Sequence, residues 1–292
     1  MKLVTFIKNR KTCIGRLDAD GHAVQDLSSI VPEQPGDMLA FIRGASQSLA
    51  VAARCEAAWT PIESVELVAP INRPARNIFC VGKNYREHAK EFNASGFDSS
   101  AKEVVPERPV IFTKAPSTVI GQGAEIPSYL DYTSSTDYEG ELAVVIGLGG
   151  RGIAKADAMQ HVYGYTIVND VTARTLQQSH RQWFVGKSID GFCPMGPTLV
   201  TADEIPDPTA LRLSTRVNGE LRQDAGVSEL IFDIPTLIAD ISRTMTLEPG
   251  DLIATGTCAG VGIGFTPPRF LKPGDVVEVE IQPIGVLRNP VA

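Results

Sequence analysis

Cysteine is scarce and scattered in this chain. Cys13, Cys55, Cys80, Cys193 and Cys258 are odd in number and never form a Cys-x-x-Cys pair. That argues against a disulfide framework or a thiolate zinc site and fits a reducing compartment. No apolar run approaches the ~18 residues of a membrane span, and the short apolar stretch at the N-terminus is broken by Lys8 and Arg10. A soluble, cytoplasmic protein without a membrane partner is expected. A basic stripe is also missing, and a net charge of −7 repels phosphate backbones, so nucleic acid is not an expected partner. An anionic small molecule would need local help from lysine, arginine or a metal ion. There is no Gly-x-x-x-x-Gly-Lys-[Ser/Thr] loop, so nucleoside triphosphates are not suggested. Long helical patterns are scarce too, because 20 prolines and 26 glycines interrupt the chain and deny the helices of a doubly wound fold.

What remains is ample apolar material: 292 residues, 43% of them hydrophobic, enough for one large domain or one domain plus a small one. Residues 1–70 read as a small α+β unit, with strands at 2–7, 13–17 and 23–26 around Asp20-Gly21 and helices at 37–42 and 48–58. The proline-punctuated stretch Val68-Ala69-Pro70-Ile71-Asn72-Arg73-Pro74 reads as an extended linker, which places a boundary at 70. Residues 71–292 carry short apolar runs at 77–81, 110–113, 142–146, 162–168, 198–201, 212–217, 251–254 and 276–281. Asn218-Gly219 is a hairpin signal among them. This second unit reads as a mainly-β domain with peripheral helices.

Asp137-Tyr138-Glu139-Gly140-Glu141 runs straight into the apolar segment 142–146. Strand side chains alternate, so Glu139 and Glu141 share a face at about 6.5–7 Å, with only Gly140 pointing away. Like charges at the mouth of an apolar strand repel and resist desolvation unless a cation sits between them. The run 162–168 ends in Asn169-Asp170, which supplies a third carboxylate. Three hard oxygen ligands suit Mg²⁺ or Mn²⁺. The bland alternatives are a solvated edge strand for the glutamates and the N-cap of a helix over 171–179 for Asp170.

Gly147-Leu148-Gly149-Gly150-Arg151-Gly152 matches Gly-x-Gly-x-x-Gly after a strand, the strongest sign of a different class, an NAD-dependent oxidoreductase. Acidic residues at the start of that strand, a following segment too short for a crossover helix and the lack of further βαβ units weigh against it. The stretch reads instead as a turn between antiparallel strands.

Acid–base candidates lie elsewhere. Residues 84–92, Asn-Tyr-Arg-Glu-His-Ala-Lys-Glu-Phe, read as a short helix with Asn84 as N-cap and Glu87 as its capping-box partner. His88 and Glu91 then share a face at i, i+3, where the carboxylate can orient the imidazole and raise its basicity. The polar, aperiodic stretch 93–108 suits a lid, with Arg86 and Arg108 in or beside it to meet a second carboxylate or simply water. Lys187 stands in Val-Gly-Lys-Ser, Lys114 in Phe-Thr-Lys-Ala-Pro-Ser, and Thr257 in the glycine-rich run 254–262, whose hydroxyls and N–H groups suit a carboxylate.

These motifs, in this order, resemble the fumarylacetoacetate hydrolase family: Gly82-Lys83-Asn84-Tyr85…His88…Glu91, Phe112-Thr113-Lys114-Ala115-Pro116-Ser117, Asp137-Tyr138-Glu139-Gly140-Glu141, Gly164-Tyr165…Asn169-Asp170-Val171-Thr172-Ala173-Arg174…Gln177, Gly186-Lys187-Ser188 and Thr255-Gly256-Thr257…Gly260-Val261-Gly262. The likeness covers about residues 70–290, and the first unit resembles the small N-terminal domain of bacterial two-domain members. It implies an α+β fold with a mixed β-roll catalytic domain, a homodimer, and Mg²⁺ or Mn²⁺ on Glu139, Glu141 and Asp170. It implies a His88–Glu91 pair on the lid, Lys187 near the reacting atoms, and Lys114, Arg174, Gln177 and Thr257 toward the substrate. Cys258 departs from the proline that many relatives carry there. The activity implied is metal-dependent cleavage of a carbon–carbon bond in an acylpyruvate or related 2-oxo acid. Oxaloacetate decarboxylation and isomerisation of hydroxymuconate-type dienes are alternatives within the family, and a non-catalytic small-acid binding protein is one outside it.

Overall fold

The computed structural model describes residues 1–98 and 104–292. Of the expected lid at 93–108, residues 99–103 therefore lie outside the described residues.

Strands run in chain order: β1 (Lys2–Lys8), β2 (Lys11–Leu17), β3 (Ala23–Asp26), β4 (Trp59–Pro61), β5 (Glu66–Val68), β6 (Ile78–Gly82), β7 (Val110–Lys114), β8 (Val119–Ile120) and β9 (Thr136–Asp137). They continue with β10 (Gly140–Ile146), β11 (Val162–Asn169), β12 (Thr172–Ala173), β13 (Cys193–Thr201), β14 (Arg212–Val217), β15 (Glu220–Gly226), β16 (Leu252–Thr257), β17 (Val276–Ile281) and β18 (Gly285–Pro290). The helices are α1 (Met38–Arg43), α2 (Ala45–Ala53), α3 (Arg86–Ala94), α4 (Arg174–Ser179), α5 (Phe184–Lys187) and α6 (Ile234–Ser242). Among the described residues a 12-stranded sheet has the order β4-β3-β2-β1-β13-β11-β10-β16-β6-β7, with β5 beside β1 and β8 beside β13; a smaller four-stranded sheet has the order β15-β14-β17-β18.

Burial patterns explain the layering. Every residue of β10 and β11 is buried, as expected of central strands covered on both faces. Leu142, Val144 and Ile146 face one core together with Leu213, Val217, Val277, Val279 and Ile281 of the small sheet. Ala143 and Val145, one residue out of phase, face a second core with Leu3, Leu39, Phe41 and Ile42 of the N-terminal unit. The small sheet covers only one of its own faces, and β17 accordingly alternates half-buried and buried residues. The first 70 residues thus cover the back of the central strands, and β1 extends their sheet by pairing antiparallel with β13 (Leu3 opposite Leu199).

The hairpin at Asn218-Gly219 forms as its sequence predicts, with both residues at positive φ (52° and 79°). β10 and β11 pair antiparallel on either side of Gly147-Leu148-Gly149-Gly150-Arg151-Gly152, so that glycine motif lacks the parallel βαβ setting of a dinucleotide site. Two local expectations need correction. Helix α3 starts at Arg86 with no side-chain cap, because the Asn84 amide is buried and bonded elsewhere, to the Phe232 and Thr255 carbonyls and the Phe232 N–H; Glu87 pairs with Lys90 instead. The segment after Asp170 first makes β12 against β9, and its helix begins only at Arg174.

Candidate active site

The register of the two central strands brings the carboxylates together. Gly140 lies opposite Asn169. Asp170, one residue beyond, therefore reaches Glu139, donating its N–H to the Glu139 carbonyl (2.8 Å), while the Asn169 side chain accepts from the Glu139 N–H (2.9 Å). One oxygen from each of Glu139, Glu141 and Asp170 falls within 4.8 Å of the others, and all three residues are buried.

Three buried cations surround them. Lys187 Nζ lies 2.7 Å from both Glu139 Oε2 and Asp170 Oδ2. Arg174 Nη1 pairs with Glu139 Oε1 at 2.6 Å, and its Nε with Asp137 Oδ2 at 2.9 Å. Lys114 Nζ lies 2.8 Å from Asp170 Oδ1 and donates to the carbonyls of Val171 and Lys187. Lys187 reaches this point because α5 packs against the start of α4 through Gly186, where a Cβ would sit 2.3 Å from Gln177 N. Trp183, which caps α5, holds a left-handed φ of 62°, a strained conformation worth roughly 1 kcal/mol or more.

The donor set fits a divalent cation. Glu141 has no cationic side chain in contact among the described residues and takes one hydrogen bond, from Gly256 N–H to Oε2 (2.8 Å). Burial, reinforced by the charges of Asp170 and Glu139, pushes its carboxyl well above the usual carboxylate range. Glu139 goes the other way: burial alone would raise it, but Lys187 and Arg174 outweigh that and hold it low. Lys187 is raised, since Asp170 and Glu139 outweigh its desolvation. Asp170 Oδ1 is buried without a hydrogen bond, the Lys114 contact being off the line that one requires. A carboxyl with no cationic side chain in contact among the described residues and a buried oxygen without a hydrogen bond suit a hard cation.

In front of this cluster lies a narrow cleft. His88, Glu139, Arg174, Gln177, Lys187 and Thr257 line it, as do Lys83, Phe92, Phe112 and Trp183. His88 is buried, and its Nδ1 sits 3.1 Å from Glu91 Oε2. The i, i+3 pairing read from sequence is therefore made. Glu91 Oε1 also accepts from Gly260 N–H (2.9 Å), seating helix α3 on the glycine-rich loop.

The structure brings eight of the ten expected site residues to the cleft or the carboxylate cluster behind it; Glu91 stands behind His88, and Lys114 is buried behind Asp170 and does not line the cleft. Arg86 and Arg108 are exposed. The buried cation beside the lid helix is Lys83 instead, paired with Asp98 at 2.6 Å. Asp137 was visible only as the first of three acids spaced by two; it binds Arg174 and the N–H groups of Gly262 and Ile263 (2.7 and 3.2 Å).

A sheet-dominated α+β fold with three convergent carboxylates beneath a histidine–glutamate pair defines a class of metal-site enzyme architecture, and the relatives narrow it. Residues 76–292 match the family described as fumarylacetoacetate (FAA) hydrolase C-terminal, and the chain belongs to this fumarylacetoacetate hydrolase family. It is 54% identical, over 230 residues, to oxaloacetate tautomerase YisK of Bacillus subtilis (strain 168), covering 79% of this chain and 74% of that protein. Among solved structures it resembles a fumarylacetoacetate hydrolase from psychrophilic Exiguobacterium antarcticum, with TM-score 0.85 and 43% identity over 100% of this chain and 99% of the other. It also resembles maleylpyruvate hydrolase from Sphingobium sp. SYK-6, solved with manganese(II) and pyruvate, with TM-score 0.80 and 29% identity over 100% and 99% of the two chains.

Proposed function

We propose that this chain is a divalent-metal-dependent enzyme that moves a proton on a short 2-oxo acid, with keto–enol tautomerisation of oxaloacetate as the first-choice reaction. The observation that carries this reading is that a carboxylate-braced imidazole and a buried ammonium line one narrow cleft. The name of the relative at 54% identity supports the choice of substrate, and the manganese and pyruvate in the maleylpyruvate hydrolase support a metal with a 2-oxo acid. Held by Glu139, Glu141 and Asp170, Mg²⁺ or Mn²⁺ would supply Lewis-acid charge beside the oxo group.

The chain's own groups do the rest. With Nδ1 facing Glu91, the His88 ring directs its N–H at that carboxylate and keeps Nε2 as the basic nitrogen. Nε2 takes the proton from the carbon next to the oxo group, Lys187 Nζ donates a hydrogen bond to the enolate oxygen that forms, and the proton on Nε2 is then returned to that oxygen to give the enol and the neutral imidazole. Arg174 Nη2 is buried without a partner among the described residues and, with Gln177, is offered to the acid's carboxylate beside the turn at Thr257. Phe92, Phe112 and Trp183 pack edge to face and exclude water from this end of the cleft.

Hydrolytic carbon–carbon cleavage of an acylpyruvate is the second reading, favoured by the same His88–Glu91 pair, since a braced imidazole also activates water. Exposed Tyr129, Tyr132, Phe184 and Val185 support a homodimer, proposed here as a cytoplasmic one acting on a small carboxylate. A turnover screen with Mg²⁺ or Mn²⁺ over oxaloacetate, acylpyruvates and hydroxymuconate-type dienes, with product identification, tests the reading. Tautomerisation without loss of carbon is the expected result; carbon dioxide release would make the enzyme a decarboxylase, and pyruvate released from an acylpyruvate a hydrolase.

A further inference from the structure

Gln223 lies in β15 of the small sheet, outside the cleft, and is 0% exposed. A buried primary amide has to satisfy two donor hydrogens and an acceptor, and Gln223 satisfies all of them on backbone and hydroxyl groups of the site. Its Oε1 accepts from Gly140 N–H at 3.0 Å. Its Nε2 donates to Thr257 Oγ1 at 2.7 Å and to the Cys258 carbonyl at 2.8 Å. Thr257 Oγ1 in turn donates to the Gly140 carbonyl at 2.9 Å, which closes a ring of hydrogen bonds around Gly140.

Both ends of that ring matter. Gly140 is the residue between Glu139 and Glu141, and a Cβ there would stand 2.4 Å from Thr215 Oγ1 and 2.9 Å from Val279 Cγ1, so the strand is pressed onto the small sheet where Gln223 reaches it. Thr257 lines the cleft. One side chain therefore ties the backbone between two carboxylates to a residue that lines the cleft. We infer that Gln223 is a positioning residue: through Gly140 it sets how Glu139 and Glu141 present themselves to a cation, and through Thr257 and Cys258 it sets the turn that meets the substrate's acid end. The inference rests on the proposed reading of the cleft as a site for a 2-oxo acid with a divalent cation.

Two substitutions in the full chain separate these arms from a merely structural glutamine. Gln223→Glu keeps an acceptor for Gly140 N–H but cannot supply both donors; Gln223→Leu supplies neither. Mn²⁺ affinity is read by electron paramagnetic resonance, oxalate affinity of the Mn²⁺-loaded protein by calorimetry, and KM and kcat with oxaloacetate. Gln223→Glu is expected to hold Mn²⁺ no more than threefold more weakly than the parent while raising the oxalate Kd and KM tenfold or more, with the smaller effect on kcat. Gln223→Leu should weaken Mn²⁺ as well; if it does not fold, Gln223→Glu alone carries the test. Thr257→Val should reproduce the oxalate defect and add less than twofold to Gln223→Glu, because both act through one hydroxyl. Oxalate affinity and KM within twofold of the parent in Gln223→Glu, or effects of the two substitutions that multiply, would overturn the inference. A parent protein that binds Mn²⁺ and oxalate but turns over no 2-oxo acid would instead sink the proposed function, and the oxalate comparison would still decide the role of Gln223.

Discussion

Glu141 touches no cationic side chain among the described residues, whereas Glu139 and Asp170 touch two each. The consequence is a pH dependence of opposite sign at neighbouring carboxyls. Glu141 is raised in the folded chain, so the stability it contributes is complete below its ordinary value of 4.5 and is lost as pH rises through its raised value. Glu139 is depressed, so its contribution is present above 4.5 and is lost as pH falls through its lowered value. Metal-free protein should therefore melt at lower temperature as pH rises above about 4.5 relative to a Glu141→Gln variant, whose neutral amide has no proton to lose. At a pH between 4.5 and the raised value of Glu141, Mn²⁺ binding should release a proton in the parent and not in that variant, read by calorimetry in two buffers of different ionisation enthalpy. Equal proton release by both would remove Glu141 from the ligand set. His88→Ala should lose about 10²–10⁴-fold in turnover, the usual range for a general base, with Mn²⁺ affinity retained; full activity would make His88 a packing residue. Contacts set within a few positions of sequence were legible: His88 with Glu91 by the helical repeat, and the nearness of Glu139 to Glu141 by their spacing, although Glu139 lies just before the strand rather than on it. Those of Lys83 and Gln223 were not, because their partners arrive through tertiary packing from 15 and 34 or more residues away. Asn84 misled for the same reason, a local capping signature overridden by long-range backbone bonds.

Helix α3 carries His88, the proposed base, and its seating decides where the imidazole points. Phe92 packs with Trp183, Val261 and Ile263, and Glu91 reaches over Gly264, where a Cβ would stand 1.8 Å from Glu91 Oε1. Gly264→Ala is thus expected to displace a flexible carboxylate end rather than disrupt the fold. Turnover should fall tenfold or more while the melting temperature moves by only about 2–4 °C, on the order of 1 kcal/mol for a chain of this size. A variant with unchanged turnover would show that the seat of Glu91 is not needed. At this scale the central strands β10 and β11 were readable from continuous apolar runs, and the β14–β15 hairpin from Asn-Gly. β18 was not, since Gly285–Pro290 carries arginine, asparagine and proline on a strand whose buried residues are only Leu287 and Asn289.

The whole molecule is layered: N-terminal helices, the large mixed sheet, then the small sheet, with the carboxylates at the end of the two strands buried from both sides. Composition foretold a sheet-rich fold; it did not foretell that residues 1–70 share a sheet and a core with the site domain, because register between β1 and β13 is a long-range choice. Deleting residues 1–70 should expose Ala143, Val145 and Leu199 and the edge of β13, giving an aggregating fragment; a monodisperse, cooperatively melting 71–292 fragment would show instead that the first unit is an appendage. The most direct measurement follows solvent deuterium into oxaloacetate, at the carbon next to the oxo group, by proton NMR with Mn²⁺ removed, Mg²⁺ added back, and His88→Ala in parallel. Exchange accelerated only by the metal-loaded parent protein is the predicted result. Acceleration that persists without metal or without His88, or none above the uncatalysed rate, would contradict it.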